Sequence, residues 1–272
     1  LARQRRRLGG KDLAEAARLS AVTVSRLENG ENEPDEQTVV KIALALNYPV
    51  SFFYADDPDV LDTLAVSFRS LTKMSSKERD AAIAAGCLGL EVNNWLEKEF
   101  SLPSPDLIDL SYETSPEAAA QALRSYWNLG ERPIPNMLGL LEVKGVRVFS
   151  LSEATRTVDA FSFWRDDRPF VFLNNFKTAE HSIFDAAHEL GHLVMHNHAG
   201  SQLNRAAERE ANEFASAFLM PASDVRARMP RFIKVELILR MKARWRVSAM
   251  AMAHRLHALQ LLSDWQYKSA CI

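Results

Sequence analysis

Residues 188–192 read His-Glu-Leu-Gly-His. Residues four apart on a helix stack on one face, so His188 and His192 can hold one ion between them. Glu189 then projects beside the ion, where it can take a proton from an activated water. That chemistry is zinc-dependent hydrolysis of a peptide bond. Zinc needs at least one more protein ligand and an open position for the water. The pentapeptide alone also suits a polar stretch of an ordinary helix, so its surroundings decide.

Two sequels offer a third ligand. His198 stands at the spacing of the three-histidine pattern H-E-x-x-H-x-x-G-x-x-H. Met195 occupies that pattern's glycine position, and methionine resists the positive φ of a sharp turn. His198 is therefore expected to stay on a continuing helix, off the metal face. The other sequel is the stretch from Glu208 to Asn212, where a carboxylate and an amide lie one turn apart. The carboxylate can ligate, and the amide can orient a ligating histidine. Arg209 and Glu213 read as a solvated face. Angular position does not separate Glu208 from Glu210, since both flank the apolar stripe of Ala207, Ala211, Phe214 and Phe218. Glu208 alone has Asn212 four residues on.

The elements that must carry these residues are legible in outline. Helical periodicity runs from Thr178 through His198 with Gly200 as a stop, and again from Leu203 to Met220 before Pro221. Ahead of them, residues 158–164 and 169–175 read as a β-hairpin across a polar turn, and 146–151 as a strand. Ser115-Pro116-Glu117 is a helix start, with Gly130 as the stop, and a short helix follows within 136–145. A long helix is expected over about 77–100, and helices over 223–266. The fold class is α+β, mostly α-helical.

In this order, the hairpin, FDAAHELGHLVMH and EREANEFASAFLMP resemble the ImmA/IrrE family of metallopeptidases across residues 115–222. The resemblance implies a zincin-like domain with a small β-sheet and an active-site helix. It also implies one Zn2+ per chain held by His188, His192 and Glu208, with Glu189 as catalytic base and Asn212 behind a ligand. His181, His196, His198 and His257 read as surface or packing histidines, so no oxyanion-stabilising residue is assigned. Peptidases often bind an extended substrate along a sheet edge. The proline-free alternation of Phe161, Ser162 and Phe163 makes this segment the expected open edge.

The chain's other end is basic. Residues 1–30 hold seven Lys or Arg against three Asp or Glu, a local +4 on a chain of net −2. That imbalance points to an anionic partner, nucleic acid first. Residues 11–47 resemble an Xre-type helix-turn-helix domain, with helix two over 12–18 and the recognition helix over 21–28. Val22, Thr23, Ser25 and Arg26 are the candidate base or phosphate contacts. Arg3, Arg5, Arg6, Arg7 and Asn32 are candidate phosphate contacts.

The expected domains are 1–57 (helix-turn-helix), 58–114 (helical linker region), 115–222 (peptidase core) and 223–272 (C-terminal helical subdomain). No apolar run reaches the roughly 18 residues of a membrane span. Two distant cysteines, Cys87 and Cys271, exclude a cysteine-ligated zinc site and suit a reduced, cytoplasmic protein. The start at Leu1 rather than Met leaves room for preceding residues. Together these readings describe a DNA-binding regulator fused to a zinc endopeptidase. Its partners are double-stranded DNA and a protein substrate, which the resemblance implies is a repressor; a homodimer is left open. The alternative is a transcription factor whose peptidase-like domain senses a signal without cutting.

Overall fold

The computed structural model describes residues 1–61, 67–68, 75–151, 160–174, 176–196 and 205–271. Two units divide the chain, Leu1–Asp62 with Ser70–Phe100, and Thr63–Arg69 with Ser101–Ile272.

The first unit contains α1 (Ala2–Arg5), α2 (Gly10–Ala16), α3 (Ala21–Glu28), α4 (Glu36–Leu46), a 3-10 turn (Val50–Tyr54) and α5 (Ser76–Glu99). Helix α2 starts earlier than its periodicity suggests, because Asp12 Oδ2 accepts from the Gly9 N–H at 2.6 Å and caps the helix there. Arg18, at φ 54°, turns the chain toward α3, which Ser20 caps by accepting from the Thr23 N–H at 3.0 Å. Leu13, Ala14, Ala17, Val24 and Leu46 form the small core.

Ser75 and Glu78 open α5 with reciprocal capping bonds of 2.8 and 3.4 Å. The expected linker region 58–114 is not one body. Helix α5 packs on α1 in the first unit, helped by a buried face of small residues (Ala81, Ala82, Ala84, Ala85). A Lys77–Asp12 ion pair at 3.0 Å adds to that packing. The stretch from Ser101 belongs to the second unit.

The second unit contains β1 (Ser67–Phe68), α6 (Pro116–Tyr126), α7 (Met137–Val143), β2 (Arg147–Leu151), β3 (Ala160–Arg165), β4 (Arg168–Asn174) and α8 (Ala179–Met195). It continues through α9 (Arg205–Leu219), α10 (Ala222–Arg228), α11 (Val235–Trp245), α12 (Ala249–Ala258) and α13 (Asp264–Ala270). The sheet order is β1-β3-β4-β2, with β2 parallel to β4 and the other pairs antiparallel. The β3–β4 hairpin turns through Asp166 and Asp167, both at positive φ, a twist that suits a two-residue connection.

Alternation along β3 sends Ser162 and Trp164 toward α8, where Trp164 Nε1 donates to the Leu193 carbonyl at 3.1 Å. Phe161 and Phe163 point to the opposite face and stack with Phe172 and Phe170, at 4.6 and 5.1 Å. One expectation fails here. The β3 edge is not open at Ser162, because β1 pairs with it, Ser67 opposite Ser162 and Phe68 opposite Phe161. A row of unpaired backbone groups is a template for another strand, and here the chain itself supplies one.

The expected C-terminal subdomain 223–272 is not separate either. Val225, Ile238, Trp245, Met252 and Leu256 are buried in the same core as Leu190, Phe214 and Phe218. Arg255 ties it together, donating to the Met220 carbonyl at 2.9 Å and to both Glu117 oxygens at 2.6 and 2.7 Å. The apolar faces of these short helices have nowhere else to be buried.

Trp245 is fully buried and donates to Asp224 at 3.1 Å. Trp245→Ala is therefore expected to destabilise the whole second unit by about 3–5 kcal/mol in denaturant unfolding. A loss confined to α10–α13, with the rest melting unchanged, would restore the separate subdomain.

Candidate active site and DNA-reading helix

Helix α8 is the spine of the site. Thr178 caps its start, accepting from the His181 N–H at 3.4 Å, and Lys177 pairs with buried Asp185 at 2.9 Å. His188, Glu189 and His192 are 0, 0 and 4% exposed. Helix α9 crosses α8 at Gly191. A Cβ on Gly191 would lie 3.0 Å from Phe214 Cδ1 and 3.3 Å from Ala211 Cα. The glycine of HELGH thus sets how closely the two helices approach, and that approach brings Glu208 to the histidines.

Three donor atoms converge there. His188 Nε2 and His192 Nε2 are 3.1 Å apart, and the Glu208 carboxylate lies 3.5 Å from the first and 3.3 Å from the second. Among the described residues, this trio is the group of His, Cys, Asp or Glu able to hold a metal. Zinc with tetrahedral bonds near 2.0–2.1 Å requires ligand atoms about 3.3 Å apart. The donor set and its spacing fit zinc. Burial alone would raise the Glu208 pKa, but hydrogen bonds and charge from His188 and His192 outweigh it and hold the carboxyl at about 2. Glu208 is therefore an anion through the whole neutral and mildly acidic range.

Each histidine is braced from behind. His188 Nδ1 meets Asn212 Oδ1 at 3.2 Å, and Asn212 is oriented by donating to the Glu208 carbonyl at 2.7 Å. His192 Nδ1 meets His196 Nδ1 at 3.0 Å, and His196 Nε2 meets Glu210 at 3.0 Å. Burial pushes the His196 imidazole below its ordinary pKa despite Glu210. Neutral His196 can donate from Nε2 to Glu210 and accept at Nδ1 from His192. His192 then keeps its Nε2 lone pair for an ion.

His196, expected from sequence to be a surface or packing histidine, instead braces a candidate ligand. Its spacing four residues after His192 was the available signal. Glu210 carried none, because its partner lies across the α8–α9 junction.

Buried Glu189 is held from the sheet. Ser162 Oγ donates to Glu189 Oε2 at 2.6 Å. A cleft of about 640 Å³ opens beside Glu208 and Asn212, walled by Phe184, Met250, Ala251 and His254. His257 lies away from the trio, bonded to Asp264 at 2.8 Å, and His181 binds Thr178 at the α8 cap. His198 falls outside the described residues. Arg209 and Glu213 approach to 3.9 Å on the exposed face of α9.

On α3, Val22, Ser25 and Arg26 are exposed, and so is Asn32 beyond it. Thr23 is half-buried, with its hydroxyl 2.8 Å from that of Ser20. The basic end is less available than its charge suggests. Arg3 grips Glu28 with two bonds of 2.6 and 2.8 Å, and Arg6 donates to the Leu46 and Asn47 carbonyls at 2.8 and 3.0 Å. These two candidate phosphate contacts are structural clamps, because internal acceptors lie within their reach. Arg26 lies 3.9 Å from Glu31, with both side chains more than half exposed.

Residues 141–257 match the family model of the IrrE N-terminal-like domain, and residues 1–53 match that of the helix-turn-helix. No curated protein matches the chain.

Purified protein is expected to carry about one zinc per chain. Glu208→Ala should abolish binding, Glu210→Ala should retain it at reduced affinity, and Gly191→Val should weaken it by about 10–100-fold through helix separation. Metal analysis after dialysis against a graded chelator reads all three. Full zinc in Glu208→Ala would remove this residue from the ligand set.

Proposed function

We propose that the chain joins a helix-turn-helix DNA-binding domain to an IrrE-like metallopeptidase domain, the two family models that its residues match, and that it is a zinc-dependent endopeptidase that cleaves a regulatory protein, a transcriptional repressor. The carrying observation is the convergence of His188, His192 and Glu208 beside a buried Glu189. A domain that only senses a signal has no need to bury a carboxylate beside the ion site and hold it from a neighbouring strand. Glu189 and its bond to Ser162 therefore favour the enzyme.

Zinc bound by the trio would supply an acidified water and polarise the scissile carbonyl. The protein's own groups do the rest. Glu189 lies one residue from His188 and is fully buried, and it would serve as the base that takes a proton from the attacking water and returns it to the leaving amine. The Ser162 hydroxyl fixes one Glu189 oxygen at 2.6 Å and so orients the carboxylate. Asn212 and the His196–Glu210 pair hold the ligating rings so that they do not reorganise during the reaction.

The DNA-binding domain would bring the enzyme to its target's operator. Val22, Thr23, Ser25 and Arg26 on α3 are the proposed reading positions, with Asn32 on a phosphate. No described helix is long and apolar enough to cross a membrane, and DNA as partner argues for the cytoplasm.

Glu189→Gln is expected to keep zinc and lose cleavage by at least about 10³-fold, because an amide cannot act as base. Undiminished turnover of a co-expressed repressor would end this assignment. Operator binding should reside in residues 1–57 and fall steeply with salt. Arg26→Ala should weaken it by about 1–3 kcal/mol. An unchanged operator shift for Arg26→Ala would take this side chain out of the interface.

A further inference from the structure

We infer that the chain segment at Ser67–Phe68 is the resident occupant of the peptidase's own substrate edge and keeps it closed until it is displaced. The inference rests on the peptidase reading and adds its regulation.

Three observations carry it. Strand β3 is the strand that meets the catalytic machinery, because Ser162 donates to Glu189 at 2.6 Å. One side of β3 is taken by β4 along its whole length. The other side is taken at Phe161 and Ser162 by β1, antiparallel, so Ser67 sits directly opposite the residue that holds Glu189. An extended peptide adding to this edge would use the same outward backbone groups. Each such group pairs with one strand at a time, so β1 and a substrate strand exclude each other there.

The sequence around β1 is compatible with an extended strand. The sequence of this stretch, Asp62-Thr-Leu-Ala-Val-Ser-Phe-Arg-Ser-Leu-Thr-Lys73, contains neither proline nor glycine. Thr63, Val66, Phe68 and Thr72 are residue types that suit an extended, pairing backbone. The described pairing is two residues long, which makes it displaceable by a longer strand that pairs further along β3.

The physical consequence is competition in cis. A tethered occupant is present at high effective concentration, and the apparent affinity for substrate falls by the fraction of time the edge is uncovered. Whatever draws this segment away raises that fraction.

The test uses the full zinc-loaded chain in a Glu189→Gln background, so that binding is read without cleavage. The probe is a fluorescein-labelled synthetic peptide spanning residues 60–75. Ser67→Pro with Phe68→Pro removes two backbone donors from β1. This variant should bind the probe at least about tenfold tighter than the unsubstituted chain, by fluorescence anisotropy. Amide exchange at Phe161–Phe163 should rise with it. A second variant, Ser67→Gly with Phe68→Gly, keeps the donors but weakens the strand and should fall between the two. Zinc content and thermal unfolding establish that each variant is folded.

Equal affinity of the proline variant and the unsubstituted chain, or unchanged exchange at Phe161–Phe163, overturns the inference. So does self-cleavage within residues 62–74 by the chain with Glu189 intact, which would make the segment a substrate rather than a block. Failure of the peptidase reading would look different: no zinc and no cleavage, with the probe results free to go either way.

Discussion

Gly191 lets α8 and α9 approach until Phe214 and the Ala211 backbone fill the space where a side chain would stand. Everything chemical in the second unit depends on that approach. His188 and His192 come from one helix and Glu208 from the other, and an ion accepts all three only if their donor atoms lie a little over 3 Å apart. The hydrophobic core sets that distance. Leu190, Leu193, Phe214 and Phe218 are buried on the same junction, so the packing that stabilises the fold also fixes the site. The helices cannot separate by a few tenths of an ångström without opening voids in a densely packed core.

Placing two imidazoles and two carboxylates in such a junction is unfavourable unless each is satisfied. The structure answers with bonds that run outward from the centre. Asn212 stands behind His188, His196 and Glu210 stand behind His192, and Ser162 stands against Glu189. The braces come from three elements, α8, α9 and β3, so the site closes only when all three have docked. Folding and the assembly of the site are therefore one event. The C-terminal helices take part through the shared core, and Arg255 links α12 to the α6 glutamate and to the end of α9.

The first unit shows how charge can mislead. The local excess of arginine near the N-terminus suits an anionic partner, yet Arg3 and Arg6 are spent on Glu28 and on the carbonyls that end α4. Exposed side chains remain on α3, with Val22 the most apolar of them at 59% exposed. A large apolar side chain held in water on α3 is what the proposed contact with a thymine methyl would use.

Local features carried what the sequence by itself determined. Helix starts are written in single residues, and Ser20, Asp35, Ser115 and Thr178 each cap the helix they precede. The hairpin and the His188–His192 pair follow from periods of two and 3.6, which depend only on backbone geometry. Glu208 could be preferred over Glu210 only through Asn212 and the family resemblance, because both sit at the margin of one stripe. Tertiary structure separated their roles: Glu208 faces the histidines, while Glu210 reaches His196 across the helix junction. It also decided that α5 joins the first unit, that α10–α13 share the core of the second, and that β1 lies on the β3 edge. The reason is the same in each case. These are pairings between surfaces far apart in the chain, and which apolar face or strand edge meets which is chosen by the shapes left over once the local elements have formed.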